Sequence, residues 1–192
     1  MKLIKNINVY APEHLGSKDV LIIGDKIAKI EEAGCMPEIP YLTAEDIIDG
    51  SGKILTPGFI DCHVHILGGG GEGGFANRTP EATVEGLTKF GVTTVVGCLG
   101  TDGIGRDMCA LVAKAKGLCE QGMSAYCYTG SYQIPVHTLT DSITKDIMMI
   151  QKTYYTPIKF LTIFAKSMMT APLKQTLALK IGHTIVMPPN QF

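Results

Sequence analysis

The chain has 192 residues, of which 45% are hydrophobic, and it carries 17 basic and 18 acidic side chains. This composition is sufficient for a packed core and excludes a disordered, highly charged chain. A formal charge of -1 gives no electrostatic attraction towards nucleic acid or an anionic membrane as the main partner. A small molecule is therefore the expected partner.

The cysteines and the first residues predict the compartment. The cysteines have no Cys-x-x-Cys spacing and lie in apolar context, so we expect reduced, buried thiols rather than disulfides or a zinc ribbon. The opening residues are polar too early for a signal peptide, and no apolar run approaches the roughly 18 residues of a membrane span. We therefore expect a soluble, cytoplasmic protein. The cysteines are Cys35, Cys62, Cys98, Cys109, Cys119 and Cys127.

Residues 1–56 have the pattern of short β-strands. Alternating and β-branched residues predict strands over 3–9, 19–23, 26–30 and 47–55. Gly24-Asp25, between the second and third of these, is a typical hairpin turn. We expect this segment to form part of a small β domain.

Residues 57–151 alternate between strand and helix patterns, which indicates parallel βα units. The predicted strands are 58–65, 93–98, 124–129 and 158–164, and the predicted helices are 79–90, 107–120 and 142–154. Thr79-Pro80-Glu81 suits a helix start, with Thr as the N-cap and Pro in the first turn. A complete (β/α) barrel takes about 250 residues. The expected fold is therefore α/β, with the first three to four units of a TIM-like barrel after a partial β domain.

Two histidines at the end of the first predicted barrel strand suggest a metal site. Phe59 and Ile60 lead into His63 and His65, and strand alternation would turn both rings to one side. Neutral imidazoles suit zinc and related divalent cations. The ordinary alternative is a pair of histidines that ends a strand on a polar surface.

The surrounding motif carries a family resemblance. Pro-Gly-Phe-Ile-Asp-x-His-x-His, residues 57–65, strongly resembles the amidohydrolase superfamily. The Gly-Gly-Gly-Gly-Glu loop at 68–72, Leu-Gly-Thr-Asp at 99–102 and Thr-Gly-Ser-Tyr at 129–132 resemble the isoaspartyl dipeptidases within it. The resemblance implies a zinc-dependent hydrolase of β-aspartyl dipeptides with two Zn²⁺ ions per site, which is a homo-oligomer when intact.

The resemblance also implies roles for individual residues. His63 and His65 match ligands of the more buried metal, and Asp61 either supports an imidazole or is an ordinary polar residue of the strand. The later lysine that bridges the metals has one candidate, Lys159, although the residues around it do not match the family. His137 matches no ligand motif and is expected at the surface.

Four residues match substrate-binding positions of the family. The backbone at Gly70 is expected to approach the substrate, and Glu72 to bind its free α-amino group. Thr101 matches a substrate contact, and Tyr132 a catalytic donor to the oxyanion that develops on the attacked carbonyl.

The resemblance ends near Gln151. Beyond Lys159 the chain has one histidine, His183, and no aspartate, so the remaining ligands of the family are not found. We hypothesise that residues 152–192 are a divergent tail translated out of frame, and we expect this chain itself to be inactive. The alternatives are a cyclic-amide hydrolase similar to dihydropyrimidinase or dihydroorotase, and a non-catalytic fragment that binds a metal or a partner.

Overall fold

The computed structural model describes residues 1–71, 73–150, 160–162 and 184–187. The chain divides into two compact units, Met1–Gly58 with Thr176–Phe192, and Phe59–Gln175. The described elements are β1 (Lys2–Tyr10), β2 (His14–Ile23), β3 (Lys26–Glu32), a 3-10 turn (Ala44–Asp46), β4 (Ile47–Asp49), β5 (Ile54–Pro57), β6 (Phe59–Val64), α1 (Val84–Thr88), β7 (Val92–Gly97), α2 (Met108–Glu120), β8 (Ser124–Thr129), α3 (Ile143–Met149), β9 (Phe160–Thr162) and β10 (Thr184–Met187).

The first unit is a mixed sheet with the order β10-β5-β1-β2-β3, and β4 also pairs with β1. β1, β2 and β3 are joined antiparallel, whereas β4 and β5 run parallel to β1. The predicted hairpin turn between β2 and β3 is present, and Gly24 adopts a φ of 61° there. Apolar residues of β1, β2 and β5 form the core of this unit, namely Ile4, Ile7, Val9, Val20 and Leu55.

The single strand predicted over 47–55 is two strands in the structure. A turn separates β4 from β5, in which the Gly50 N–H donates to the Lys5 carbonyl at 2.7 Å and the Lys53 N–H donates to Gly50 at 2.9 Å. Gly52 takes a φ of 72°, which an L side chain rarely adopts. The two glycines therefore break the strand that the apolar pattern suggested.

A strand from the far end of the chain joins this sheet, which the sequence analysis did not expect. β10 pairs antiparallel with β5, with Thr184 opposite Pro57 and Met187 opposite Ile54. The β-branched run Thr-Ile-Val has the strand propensity that this pairing requires. The role of residues 152–192 as an out-of-frame tail stays a prediction.

The second unit is a parallel sheet with the order β6-β7-β8-β9, connected through α1, α2 and α3. α2 packs against β8, and its apolar face meets the side chains of β7 and β8 in a core that includes Val95, Leu111, Ala115 and Cys127. The repeated strand–helix order and the parallel pairing confirm the predicted partial (β/α) barrel. Among the described residues, no helix is long and apolar enough to cross a membrane.

The helix predicted to begin at Thr79 begins later. α1 spans only Val84–Thr88, and its N-cap is Thr83, whose hydroxyl accepts from the Gly86 N–H at 3.0 Å. Thr79 instead binds Gly69 twice: its hydroxyl accepts from the Gly69 N–H at 2.6 Å, and its own N–H donates to the Gly69 carbonyl at 3.1 Å. These bonds hold the backbone of Thr79 outside the helix.

The other two helices begin as predicted. Asp107 caps α2 by accepting from the Ala110 N–H at 2.7 Å, and Ser142 caps α3 by accepting from the Lys145 N–H at 3.3 Å. α3 ends at Met149, and the predicted remainder over 151–154 lies outside the described residues.

A buried carboxylate ties the loop before α3 to the end of β8. Asp146 accepts from the N–H groups of Leu139 at 2.9 Å and Thr140 at 2.8 Å, and from the hydroxyls of Thr140 at 2.6 Å and Thr129. Burial raises the pKa of Asp146, but these hydrogen bonds outweigh it and hold the pKa below its ordinary value. The ionised form is therefore the one that the fold stabilises.

We expect Asp146→Asn to lower the free energy of unfolding by about 2–3 kcal/mol at neutral pH, because donors that bonded the carboxylate lose an acceptor. Since the folded pKa is depressed, the contribution of Asp146 is complete above the unfolded pKa of about 3.9 and is lost as the pH falls through the folded pKa. Urea unfolding of the wild type and of Asp146→Asn, from neutral pH to below the folded pKa, measures the difference in their free energies of unfolding. A difference that stays constant as the pH falls would contradict the conclusion that the ionised form of Asp146 stabilises the fold.

Candidate metal and substrate site

The candidate site lies where β6, β7 and β8 give way to the loops that follow them. His63 is in β6, and His65 follows the end of that strand by one residue. Val64 of β6 pairs with Gly97 of β7, so that the next residues, His65 and Cys98, lie side by side. The carboxyl ends of parallel strands are the catalytic face of (β/α) barrels.

Three donor side chains meet at this position. The ligand atoms of His63, His65 and Cys98 all lie within 4.8 Å of one another. The two imidazole centroids are 5.3 Å apart, with the rings inclined at 68°, and the Cys98 sulfur is 3.9 Å from His65 Nδ1. Two imidazoles and a thiol are ligands that zinc accepts, so these residues fit a divalent cation.

The two histidines are close for a reason other than simple alternation. The pairing of β6 with β7 shifts register between Asp61 and Val64, which interrupts the regular period-two pattern. Asp61 accepts a hydrogen bond from the backbone N–H of His63 at 3.0 Å. This hydrogen bond places the Asp61 carboxylate at the register shift, and its support of an imidazole stays a prediction.

The thiol of Cys98 is enclosed. Its side chain is only 8% exposed, and its sulfur donates to the Val64 carbonyl at 3.6 Å. Burial raises the pKa of the Cys98 thiol to about 11. Burial therefore favours the protonated form of this thiol at neutral pH.

Gly100 leaves the space that the His65 ring occupies. A Cβ at position 100 would lie 2.4 Å from His65 Nδ1, and Gly100 has a φ of 75°. Both observations require glycine at this position. The loop after β7 therefore sets the orientation of His65.

Gly100→Ala is expected to lower the affinity of the chain for Zn²⁺ by about 10–100-fold, the range found when groups that orient a metal ligand are changed. The added methyl group would displace the His65 ring. Isothermal titration with Zn²⁺ measures the effect, and Gly117→Ala on α2 is the matched control because its Cβ meets open space. Equal affinities for the two variants would show that His65 does not depend on Gly100.

Arg106 organises the glycine-rich loop at residues 67–71. This nearly buried side chain donates through Nε to the Leu67 carbonyl at 3.1 Å, through Nη1 to Gly70 at 3.1 Å and through Nη2 to Gly69 at 3.3 Å. Gly70 also forms an isolated bridge with Arg78. One guanidinium therefore binds three backbone carbonyls of a loop that has few side chains of its own.

Asp102 joins Arg106 to Arg78. Its carboxylate bonds the Arg78 guanidinium and lies 3.8 Å from that of Arg106. It also accepts from the N–H groups of Gly105 at 2.7 Å and Ile104 at 3.2 Å. The N–H of Gly105 and, in smaller measure, the two arginines hold the pKa of Asp102 below its ordinary value. We call Arg78, Asp102 and Arg106 the arginine cluster.

Three of the four predicted substrate residues lie in the loops that follow β6, β7 and β8. Gly70 is in the loop after β6, and Thr101 is in the loop after β7, where its carbonyl accepts from the Gln133 side chain. Tyr132 follows β8 and is 67% exposed. Glu72 and Lys159 lie outside the described residues, and their roles stay predictions. His137 is at the surface, as expected.

Sequence reasoning missed Cys98 and Arg106 as members of the site. Cys98 lies in an apolar run and was interpreted as a core thiol, while Arg106 lies in an irregular segment without a motif. The pairing of β6 with β7 places Cys98 beside His65. The only sequence signal for Cys98 was its position at the end of the second predicted barrel strand.

Solved structures and curated proteins resemble the chain over part of their length. One is the crystal structure of β-aspartyl dipeptidase from Fervidobacterium islandicum AW-1, whose sequence is 49% identical to this chain. The two structures superpose with a TM-score of 0.70, and the match covers 79% of this chain and 41% of the dipeptidase. The same dipeptidase has been solved in complex with a β-Asp-Leu dipeptide. This chain therefore spans about two fifths of that relative.

Two further comparisons show similarity to other hydrolases. Dihydroorotase from Staphylococcus aureus is 39% identical over 95 residues, which are 50% of this chain and 20% of that protein. Atrazine chlorohydrolase from Arthrobacter aurescens, solved with zinc, shares the fold with a TM-score of 0.54 and 16% identity over 84% of this chain and 46% of that one. No protein-family model matches the chain.

Proposed function

Since the chain belongs to the amidohydrolase superfamily and is similar, within it, to the β-aspartyl dipeptidases, we propose that it forms the first part of a metal-dependent hydrolase of β-aspartyl dipeptides. The observation that carries the proposal is the 49% identity, over 79% of this chain, to a dipeptidase solved in complex with β-Asp-Leu. The complete activity belongs to a longer barrel than the described units form.

The proposed cofactor is zinc, with two ions per site in the intact enzyme. In this chain His63 and His65 would hold the first ion, and Lys159 is the candidate for the bridging ligand. A divalent metal held there supplies polarisation of the scissile carbonyl and activation of water. The support is the group of donor atoms within 4.8 Å and the room that Gly100 leaves for the His65 ring.

The loops supply the proposed substrate contacts. Glu72 would bind the free α-amino group, because a carboxylate in a glycine-rich loop can approach an ammonium group closely. The backbone at Gly70 and the side chain of Thr101 would position the dipeptide, and the Tyr132 hydroxyl would donate to the oxyanion. The arginine cluster supports this proposal because it holds the loops after β6 and β7 together at the site.

Compartment and assembly are also proposed. All six cysteines are free thiols, which fits the reducing cytoplasm. For the intact enzyme we propose a homo-oligomer, with no nucleic acid or membrane partner.

A chimera tests the function. Residues 1–150 of this chain would replace the matching segment of the Fervidobacterium dipeptidase, and hydrolysis of β-Asp-Leu would be assayed with Zn²⁺. We expect the chimera to be active and Glu72→Gln in it to lower kcat/KM by about 10–100-fold, the value of one charged hydrogen bond. Glu81→Gln is the control, because Glu81 is an exposed partner of Lys114. A folded chimera without dipeptidase activity would contradict the proposal.

A cyclic-amide hydrolase is the second candidate, favoured by the 39% identity to dihydroorotase over 95 residues. The same chimera separates the two when it is assayed with dihydroorotate and hydantoin beside β-Asp-Leu. The 192-residue chain alone is expected to be inactive on all three. Turnover of a cyclic amide above that of the dipeptide would support the second candidate.

A further inference from the structure

We propose that Cys98 is a third metal ligand of this chain, so that His63, His65 and Cys98 form a two-histidine, one-thiolate site. The inference deepens the proposed function and rests on it, because it takes the two histidines as ligands. It adds a residue that the family motif does not include.

Backbone pairing fixes the position of Cys98. Its N–H donates to the Val64 carbonyl at 2.9 Å, which continues the pairing of β6 with β7 to the last residues before the loops. The residue after Val64 is His65, and the Cys98 sulfur lies 3.9 Å from Nδ1 of that ring. The sulfur is therefore held beside the histidine by main-chain hydrogen bonds rather than by a mobile loop.

The distances suit a tetrahedral metal. With metal–nitrogen and metal–sulfur bonds of about 2.0 and 2.3 Å, neighbouring donors are about 3.3–3.5 Å apart. The three donors lie within 4.8 Å of one another. The Cys98 sulfur, 3.9 Å from His65 Nδ1, needs a side-chain shift of about 0.4 Å to reach this spacing, and rotation of the exposed His63 ring can bring in the third donor. The site needs no movement of the sheet.

The other described thiols are engaged elsewhere or lie apart from this group. The sulfurs of Cys119 and Cys127 donate to the carbonyls of Ala125 at 3.6 Å and Leu111 at 3.7 Å, on the side of the sheet that faces α2. Cys62 is in β6 next to His63 but is not in the donor group. Cys98 alone among the described cysteines therefore combines burial with proximity to both histidines.

Binding of the metal by Cys98 requires no oxidation or reduction. As the metal–sulfur bond forms, the thiol proton passes to solvent, and the bound thiolate, a soft anion, favours zinc over magnesium or calcium. Three protein ligands leave a fourth tetrahedral position open for water. This chain should therefore bind one Zn²⁺ tightly without the ligands that the family takes from later strands.

Cobalt spectroscopy tests the third ligand on the full 192-residue chain. Titration of metal-free protein with Co²⁺ should show one equivalent bound, with the near-ultraviolet absorption that arises only when a thiolate coordinates Co²⁺. Cys98→Ser should remove this band and weaken Co²⁺ binding at least tenfold, about the smallest loss seen when partners of metal ligands are removed. Cys119→Ser is the matched control, since its sulfur also donates to a carbonyl at 3.6 Å, and Cys62→Ser tests the neighbouring thiol.

Several results would overturn the inference: no Co²⁺ bound by the wild-type chain, Co²⁺ bound without the thiolate band, a band that survives Cys98→Ser, or a band lost in Cys62→Ser. X-ray absorption of the zinc-loaded wild-type chain adds a test that needs no variant, because it should detect one sulfur at about 2.3 Å. Failure of the proposed function is distinguishable, because it would appear as a folded but inactive chimera, whereas the thiolate band on the 192-residue chain reports only on Cys98 as a ligand.

Discussion

His63→Ala should lower the affinity of the chain for Zn²⁺ by more than about a hundredfold, because removing partners outside the ligand shell already costs 10–100-fold. His63 is the exposed member of the donor group, and its ring centroid lies 5.3 Å from that of His65. Its loss leaves one imidazole and one thiol, which cannot enclose a tetrahedral ion. Competition with a zinc-chelating dye measures the change on the chain, and loss of dipeptidase activity measures it in the chimera.

His137→Ala is the matched control for this experiment. His137 is an exposed histidine of the loop after β8, and its backbone N–H donates to the Ser131 hydroxyl at 2.9 Å, a bond that survives the substitution. Its affinity for Zn²⁺ should equal that of the wild type. If His63→Ala and His137→Ala lowered the affinity equally, the donor group would not be the metal site.

Arg106→Ala should destabilise the second unit by about 2–4 kcal/mol, because the carbonyls of Leu67, Gly69 and Gly70 lose hydrogen bonds from a charged group. The glycine-rich loop should also open. The N–H of Gly68 donates to the His65 carbonyl and that of Gly69 to the Thr79 hydroxyl. Hydrogen exchange at these two amides, together with urea unfolding, measures both effects.

Two variants separate the geometry of Arg106 from its charge. Arg106→Lys keeps the charge but cannot donate in three directions from a planar group, so it should restore only part of the amide protection. Lys114→Ala removes a partly buried cation of α2 that is paired with the exposed Glu81 and should leave the loop unchanged. Wild-type exchange rates at Gly68 and Gly69 in Arg106→Ala would mean that other contacts hold the loop.

Local patterns predicted the elements that local interactions decide. β8 spans Ser124–Thr129 as expected, because alternation and flanking turn residues are sufficient to define a strand. α2 and α3 begin after Asp107 and Ser142, which cap the first turn of each helix. In both helices the capping hydrogen bond joins residues three positions apart.

Contacts distant in sequence decided the elements that were missed. Thr79 has the residue type and context of an N-cap, yet its hydroxyl binds an amide ten residues earlier. Arg106 reaches carbonyls 36 to 39 residues away, and Cys98 lies 33 residues from His65. These contacts depend on strand order and register, which local patterns do not contain.

The positions of His63 and His65 depend both on a local pattern and on contacts distant in sequence. Alternation predicted that His63 and His65 would share a side, and the structure brings their rings together. However, the register of β6 shifts before Val64 and the strand ends before His65. Gly100, distant in sequence, provides the room for the His65 ring. The alternation therefore predicted that the two histidines lie together, but not the register shift or the glycine on which their positions depend.

The pairing of β10 with β5 sets an order of events during synthesis. Because a chain leaves the ribosome from its N-terminus, β1 to β5 emerge early, and the whole of β6 to β9 follows before residues 184–187 appear. The outer edge of β5 therefore stays unpaired while the parallel sheet is already able to form. Such an edge can pair with another chain, and non-local strand pairing is slow. Until β10 arrives, the open edge of β5 therefore favours aggregation, and a chaperone that covered this edge would prevent it.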